Sequence, residues 1–310
     1  MSESATNSYS VAIIGGTGGL GKHISQAFLT DFKPDFHNVR ILTRDPSSAT
    51  AQDLAVKGAQ LRTFDESDLA RSLDEALESV DVVVNVLPGK TPDEVKRAVI
   101  DAAARSRVKV YFLDEYGLDH RLAVVPGHEH PGWLEKGEVS AETRELLRGR
   151  KVIALYATLF LEFAITVLGI DLDQNTYTCY GPPTQKFSIT AMEDIGRAVA
   201  RLSILALDPS IASTVPDEVQ IAGTTTTYEE IRNTVARVRG VPSAEIEVRD
   251  VGELKEEIRR GASGKTFYEY IKVVIGEGKV DFSADNANEL VNPGEKFWRW
   301  KTVEDHVRAL

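Results

Sequence analysis

Residues 13–24, IIGGTGGLGKHI, carry two overlapping phosphate-binding patterns. From Gly15 the spacing is G-x-x-G-x-x-G, a variant of the dinucleotide fingerprint. From Gly16 it is G-x-x-x-x-G-K, a P-loop one residue short, with His23 where Ser or Thr belongs. A P-loop needs that hydroxyl to hold magnesium, and an imidazole nitrogen suits so hard a cation poorly. The dinucleotide reading fits better, because an apolar strand precedes the loop and a helix follows it. Gly15 then permits the tight turn, Gly18 lets backbone approach a pyrophosphate, and Gly21 lets helix and strand pack closely. The free N–H groups and partial positive charge at the helix N-terminus favour the phosphates.

The next chemical choice lies at Thr43-Arg44-Asp45, where the second apolar strand ends. An acidic residue here accepts hydrogen bonds from a ribose 2′-hydroxyl, whereas a guanidinium forks onto a 2′-phosphate. Arg44 favours NADP and Asp45 keeps NAD open. Arg44 also reads as a plain surface arginine. At 261–267, GASGKTF ends like a P-loop, but its spacing is too short and no apolar strand precedes it. A flexible loop running into a helix start is the expectation there.

Other chemistries find less support. No G-x-S-x-G elbow is present, so hydrolase chemistry is not expected. His120, His128 and His130 cluster locally, but a Gly- and Pro-rich loop collects polar residues without purpose, and no metal site is expected. One of the three histidines in a substrate mouth is a minor expectation. The lone Cys179 reads as a small core residue and fits a reducing compartment.

These residues need elements to hold them. SVAIIG, VRILT, AQLRTF, DVVVNVLPG and VKVYFLDEYG read as strands. Between them, 20–29, ATAQDLAVKG, SDLARSLDEALESV (Ser67 as N-cap) and TPDEVKRAVIDAAARS (Thr91 as cap, Pro92 at the first helical position) read as helices. Fully apolar strands alternating with amphipathic helices predict an α/β, doubly wound parallel-sheet Rossmann fold. After about residue 160 the rhythm changes. Helices are expected at 192–207, 228–239 and 252–260, with turns at YGPPT and GVPS. The expected organisation is residues 1–155 as the NAD(P)-binding domain. Residues 156–310 form a smaller C-terminal substrate-binding portion, interleaved with the last sheet strands.

Composition bounds the partners. The chain has 310 residues with a net charge of −11, which argues against a nucleic-acid groove or an anionic lipid surface. VIALYATLFLEFAITVLGI approaches membrane length, but Glu162 sits within it, so a buried strand running into a buried helix is expected. A soluble, cytoplasmic monomer or homodimer acting on a small molecule is expected.

Several segments together resemble the NmrA-like and isoflavone-reductase-like branch of the atypical short-chain dehydrogenases: GGTGGLGKHI, ILTRD, YFLDEYGLDH and FSITAMEDIGRAVA. The resemblance implies NADPH as cofactor, with Thr17, Gly18, Gly19 and Leu20 around the pyrophosphate. Leu87, Pro88 and Gly89 would lie along the cofactor, and Thr158 and Phe160 of YATLF near the nicotinamide. The Tyr-x-x-x-Lys pair of ordinary short-chain dehydrogenases is missing. Lys136 in WLEKGEVSAETRELL is the match to the plant reductases' lysine, and it also reads as a solvated lysine in a charged segment. Tyr116 and Tyr156 are reserve proton donors. Phe160, Phe163, Phe187 and Tyr180 read as pocket lining or as core; at Phe163 the branch often has Asn. The implied activity is NADPH-dependent reduction of a small, largely apolar aromatic or conjugated molecule. The alternatives are a non-catalytic NADP(H)-sensing regulator and a redox-neutral isomerase or cyclase that retains the cofactor.

Overall fold

The computed structural model describes residues 8–122, 124–261 and 266–310. Strands β1 (Tyr9–Ile14), β2 (Phe36–Thr43), β3 (Gln60–Thr63), β4 (Val82–Asn85), β5 (Val110–Phe112) and β6 (Lys151–Tyr156) come first. Between them lie helices α1 (Gly19–Leu29), α2 (Ala49–Val56), α3 (Leu69–Leu77), α4 (Asp93–Arg105) and α5 (Pro131–Leu146). There follow β7 (Leu159–Phe160), α6 (Leu161–Val167), β8 (Ile170–Asp171), β9 (Thr176–Tyr180), β10 (Phe187–Thr190) and α7 (Met192–Leu207). The rest comprises β11 (Glu218–Gln220), β12 (Thr224–Thr226), α8 (Tyr228–Arg239), β13 (Ile246–Arg249), α9 (Val251–Arg259), α10 (Phe267–Gly276), α11 (Asn288–Val291) and α12 (Val303–Ala309).

The chain divides into two compact units, each discontinuous. The first takes residues up to Tyr116, then Val139–Leu155 and Met192–Val219. Its seven-stranded sheet runs β11-β6-β5-β4-β1-β2-β3, and every pair from β3 through β6 is parallel. The sheet is flanked by helices, as an α/β Rossmann fold requires. The pure Val/Ile runs explain this: Val11 to Ile14 and Val82 to Val84 are fully buried, which needs helices over both faces. Helix α7 packs on α1 backbone to backbone, because a Cβ on Gly196 would stand 2.6 Å from the His23 carbonyl oxygen.

Two helix starts differ from the sequence expectation by one residue. Asp68, not Ser67, caps α3, because Ser67 already donates its N–H and hydroxyl to the Asp65 carboxylate in a local turn. Pro92, not Thr91, holds the N-cap position of α4, without a side-chain hydrogen bond.

The second unit takes Gly117–Glu138, Tyr156–Ala191 and Gln220–Leu310. It holds two three-stranded sheets, β12-β10-β7 and β13-β9-β8. Leu161, Ile165, Tyr177, Phe187, Tyr228, Ile231 and Val274 pack into one apolar core. The Tyr228 hydroxyl, which enters that core, donates to the Leu168 carbonyl at 2.9 Å. Thr266 caps α10 in a reciprocal box with Glu269, so a helix does start at the end of GASGKTF. The preceding residues 262–265 of that motif lie outside the described residues. No helix among the described residues is long and apolar enough to cross a membrane.

Candidate dinucleotide site

The glycine loop is built around contacts that tolerate no side chain. Gly15 has φ +82°, a left-handed conformation, and a Cβ there would stand 2.7 Å from the Val86 carbonyl oxygen. A Cβ on Gly21 would lie 2.1 Å from the Gly15 carbonyl oxygen and 2.9 Å from the Gly16 Cα. Helix and strand therefore meet through bare backbone. Gly18 is the N-cap of α1, makes no side-chain cap bond, and its N–H donates to the Gly15 carbonyl at 3.0 Å. The first turn has no acidic residue. Its leading N–H groups consequently lack intrahelical partners and point outward with the dipole's positive end. Gly18 and Gly19 are exposed, Thr17 and Leu20 half-buried, and a Cβ on Gly19 would meet nothing within 4 Å. This is open space in front of amide donors, and it fits a diphosphate bridge.

The loop is tied to the end of β2. The Thr17 and Thr43 hydroxyls lie 3.2 Å apart, and the Ser25 hydroxyl donates to the Gly16 carbonyl at 2.9 Å. At that strand end the two candidate ribose readers differ in what occupies them. The Asp45 carboxylate accepts from the Ser47 hydroxyl at 2.6 Å and the Ser47 N–H at 2.9 Å, bonds that hold it below the usual carboxylate range. It is committed to its own turn. The Arg44 side chain is 80% exposed, with a loose 3.8 Å approach to Glu66. A guanidinium in that state suits a 2′-phosphate better than Asp45 suits a 2′-hydroxyl.

The exit of β4 forms the opposite wall of the loop. The Val86 N–H donates to the Ile14 carbonyl at 2.9 Å, while the Val86 carbonyl faces Gly15. Leu87 is half-buried; Pro88 and Gly89 are exposed. A residue that sequence reasoning passed over holds this exit. The Asn85 side-chain oxygen accepts from the Leu87 N–H at 3.2 Å, and its amide donates to the Tyr111 hydroxyl at 3.2 Å. Its signal was a single amide ending an all-valine strand. Nearby in this unit, Tyr116 is 5% exposed and its hydroxyl has no hydrogen-bond partner among the described residues. Burial first, then the charge of Asp114 with Tyr111 and Glu115 beside it, pushes the Tyr116 phenol well above its ordinary value. Such a phenol holds its proton.

The remaining candidates belong to the second unit. Thr158 is 1% exposed and has φ +65°, a strained conformation for a β-branched residue. Its N–H donates to the Gly117 carbonyl at 3.1 Å and its hydroxyl to the Ala157 carbonyl at 2.5 Å. Phe160 is half-buried, pairs with Thr190 of β10, and lies 6.3 Å from the exposed ring of Phe163. Phe187 is fully buried against Tyr228, a core position rather than a pocket wall. Lys136 is half-buried in the second turn of α5. The next residue, Gly137, lies under the His120 imidazole, which in turn meets the Tyr156 ring edge-on at 6.1 Å. No His, Cys, Asp and Glu grouping suited to a metal occurs among the described residues.

Residues 7–304 match the model of the NmrA-like family. The chain belongs to that family. This NmrA-like protein is 29% identical over 191 residues to an NmrA-like family domain-containing oxidoreductase of Gibberella moniliformis, covering 61% of this chain and 59% of the relative. It is 28% identical over 129 residues to an Arabidopsis thaliana protein named "Probable pinoresinol-lariciresinol reductase 3", covering 42% and 41%. These alignments span less than two thirds of either relative. Among solved structures, AtPrR2 with NADP+ and (+)-pinoresinol superposes with a TM-score of 0.76 at 19% identity, covering 100% of this chain and 99% of that one. The binary complex of Vitis vinifera leucoanthocyanidin reductase with NADPH superposes at 0.72 and 18% identity, covering 97% and 98%. The fold of the NmrA-like chain is the fold of these reductases.

Proposed function

We infer that this NmrA-like protein is an NADPH-dependent reductase of a small, largely apolar molecule with an aromatic or conjugated acceptor. The carrying observation is the bare-backbone contact of Gly15 and Gly21 beneath an uncapped helix N-terminus, with the Arg44 guanidinium exposed and Asp45 engaged. Relatives named as oxidoreductases and reductases support the reaction class. When bound, NADPH supplies a hydride to an electrophilic carbon of the acceptor. The amides of Gly19 and Leu20 bind the diphosphate, with Gly18 letting the backbone approach it, and Arg44 reads the 2′-phosphate. Leu87, Pro88 and Gly89, at the exit of β4, line the cofactor. Lys136 holds the proton given to the acceptor's oxygen or carbon. Mixing the protein with NADPH and a panel of enones, imines and ketones should deplete the nicotinamide absorbance. Tight NADPH binding without turnover of any acceptor would count against the reading.

A second reading draws support from Tyr116. The chain lacks the Tyr-x-x-x-Lys pair, and this tyrosine is buried with a raised pKa. A protein with the cradle but no working donor would serve as an NADP(H)-sensing regulator. Unequal affinity for NADP+ and NADPH, together with partners captured in only one cofactor state, would favour it.

A further inference from the structure

The histidine-rich loop GHEHPGW meets the start of α5 through one ring nitrogen. The His130 carbonyl accepts from the N–H groups of Trp133 at 2.9 Å and Leu134 at 3.4 Å, which makes His130 the N-cap of α5. Pro131 follows at the first helical position. The side chain completes the cap: the Gly132 N–H donates to His130 Nδ1 at 3.1 Å. Glycine at 132 makes room for this, because a Cβ there would stand 3.2 Å from Nδ1.

A histidine cap works in one protonation state only. Nδ1 must offer a lone pair, so the ring must be neutral with its hydrogen on Nε2. In the imidazolium both nitrogens carry hydrogen, and an N–H would face the Gly132 N–H. The added charge would also oppose the dipole at the start of α5. The surroundings favour the neutral ring. Trp133 of α5 and Phe267 and Tyr270 of α10 surround it edge-on, with centroids at 6.4, 5.2 and 5.4 Å. The Tyr270 hydroxyl donates to the His128 carbonyl at 2.9 Å, closing the loop over the box.

The charged and titratable groups on the packed elements are His128 and Glu129 on the loop, Glu135, Lys136, Glu138, Glu142, Arg144 and Glu145 on α5, and Tyr268, Glu269, Tyr270 and Lys272 on α10. Glu269 and Lys272 approach each other at 3.6 Å, and the Glu129 carboxylate accepts from the Gly127 N–H. Burial lowers the imidazole below its ordinary 6.5.

We propose that His130 is a positioning residue: its neutral imidazole caps the helix that carries Lys136, and uptake of a proton releases that cap. The link to catalysis rests on the reductase reading; the cap does not. The sign follows from the lowered pKa. The unfolded chain binds the proton more readily, so the cap's contribution is complete above about pH 6.5 and is lost as pH falls.

The test uses the full chain and two readouts. Tryptophan emission, to which Trp133 in the box contributes, should change between about pH 7.5 and 5 with a midpoint below 6.5. His130→Asn should abolish that change, since an amide oxygen caps without titrating. His306 is also buried with a lowered pKa, but it titrates equally in both proteins and cancels in the comparison. With NADPH and an accepted acceptor, wild-type kcat should fall over the same window at constant KM for NADPH. His130→Asn should restore a flat profile, and both His130→Ala and Gly132→Ala should lose about threefold or more in kcat above about pH 6.5 and converge with wild type at the acid end, where the cap is already released. An identical emission change in wild type and His130→Asn overturns the cap. A cap-dependent emission change with parallel kcat profiles overturns the positioning role. A cap-dependent emission change without any turnover supports the cap and overturns the reductase reading, along with the link to Lys136.

Discussion

Gly21 touches Gly15 across the first strand–helix turn so closely that one methyl group would collide with the Gly15 carbonyl oxygen, at 2.1 Å. The atom in the way is backbone and cannot rotate aside. Gly21→Ala would ordinarily strengthen a helix by ~0.5–1 kcal/mol. Here overpacking, at ~1–3 kcal/mol, should win. Calorimetric titration should show NADPH binding weakened about tenfold or more, with a lowered Tm. Unchanged affinity would mean that the loop does not hold the diphosphate.

Arg44→Asp tests the cofactor choice. Loss of charge-assisted hydrogen bonds worth ~1.5–3 kcal/mol should weaken NADPH about 10- to 100-fold. NADH lacks the 2′-phosphate and should change by less than about threefold. Equal losses for both nucleotides in fluorescence titrations would remove Arg44 from the site.

Lys136→Ala should lower kcat by about 10²- to 10⁴-fold, the usual range for a positioned proton donor, while NADPH affinity stays within about threefold. Tyr116→Phe probes the reserve donor. Its hydroxyl is buried without a hydrogen-bond partner among the described residues, so its removal should leave stability unchanged or raise it by ~1 kcal/mol. Steady-state kinetics in which Tyr116→Phe is the more damaged variant would exchange the two roles.

The Asn85–Tyr111 pair should behave as a coupled unit. Asn85→Ala strands a hydroxyl that is 1% exposed and frees the Leu87 N–H, at a cost of ~1–3 kcal/mol in urea unfolding. Tyr111→Phe made in the Asn85→Ala background should cost less than it does alone, with a coupling of ~0.5–3 kcal/mol. Strict additivity would show that the bond does not hold the β4 exit.

Much of the fold was legible because its signals are local. Apolar runs ending in glycine or polar turns marked β1, β2 and β4, and α7 and α8 begin and end where their periodicity does. The caps expected at Ser67 and Thr91 show the limit of local reading: at α3 two adjacent polar residues compete and the Asp65 turn takes Ser67, while α4 starts after Pro92 with no side-chain cap at all. Two-residue strands such as β7 and β8 carry no period at all and exist because a partner pairs with them. In the site, the glycine spacing was readable, whereas Asn85 became visible only through its two partners. The left-handed turn at Thr158 was hidden because a threonine gives no sign of it. The histidines of GHEHPGW were readable as a cluster but not as a cap, which depends on a ring nitrogen meeting one N–H.

The contact between Gly196 and the His23 carbonyl joins stretches separated by 173 positions, and the first unit is complete only at Val219. A ribosome therefore releases the nucleotide loop long before it releases the helix that backs it. Until then the outer side of α1 stays bare and β6 lacks its neighbour β11. A nascent chain stalled after β6 would expose sticky apolar surface to chaperones and proteases.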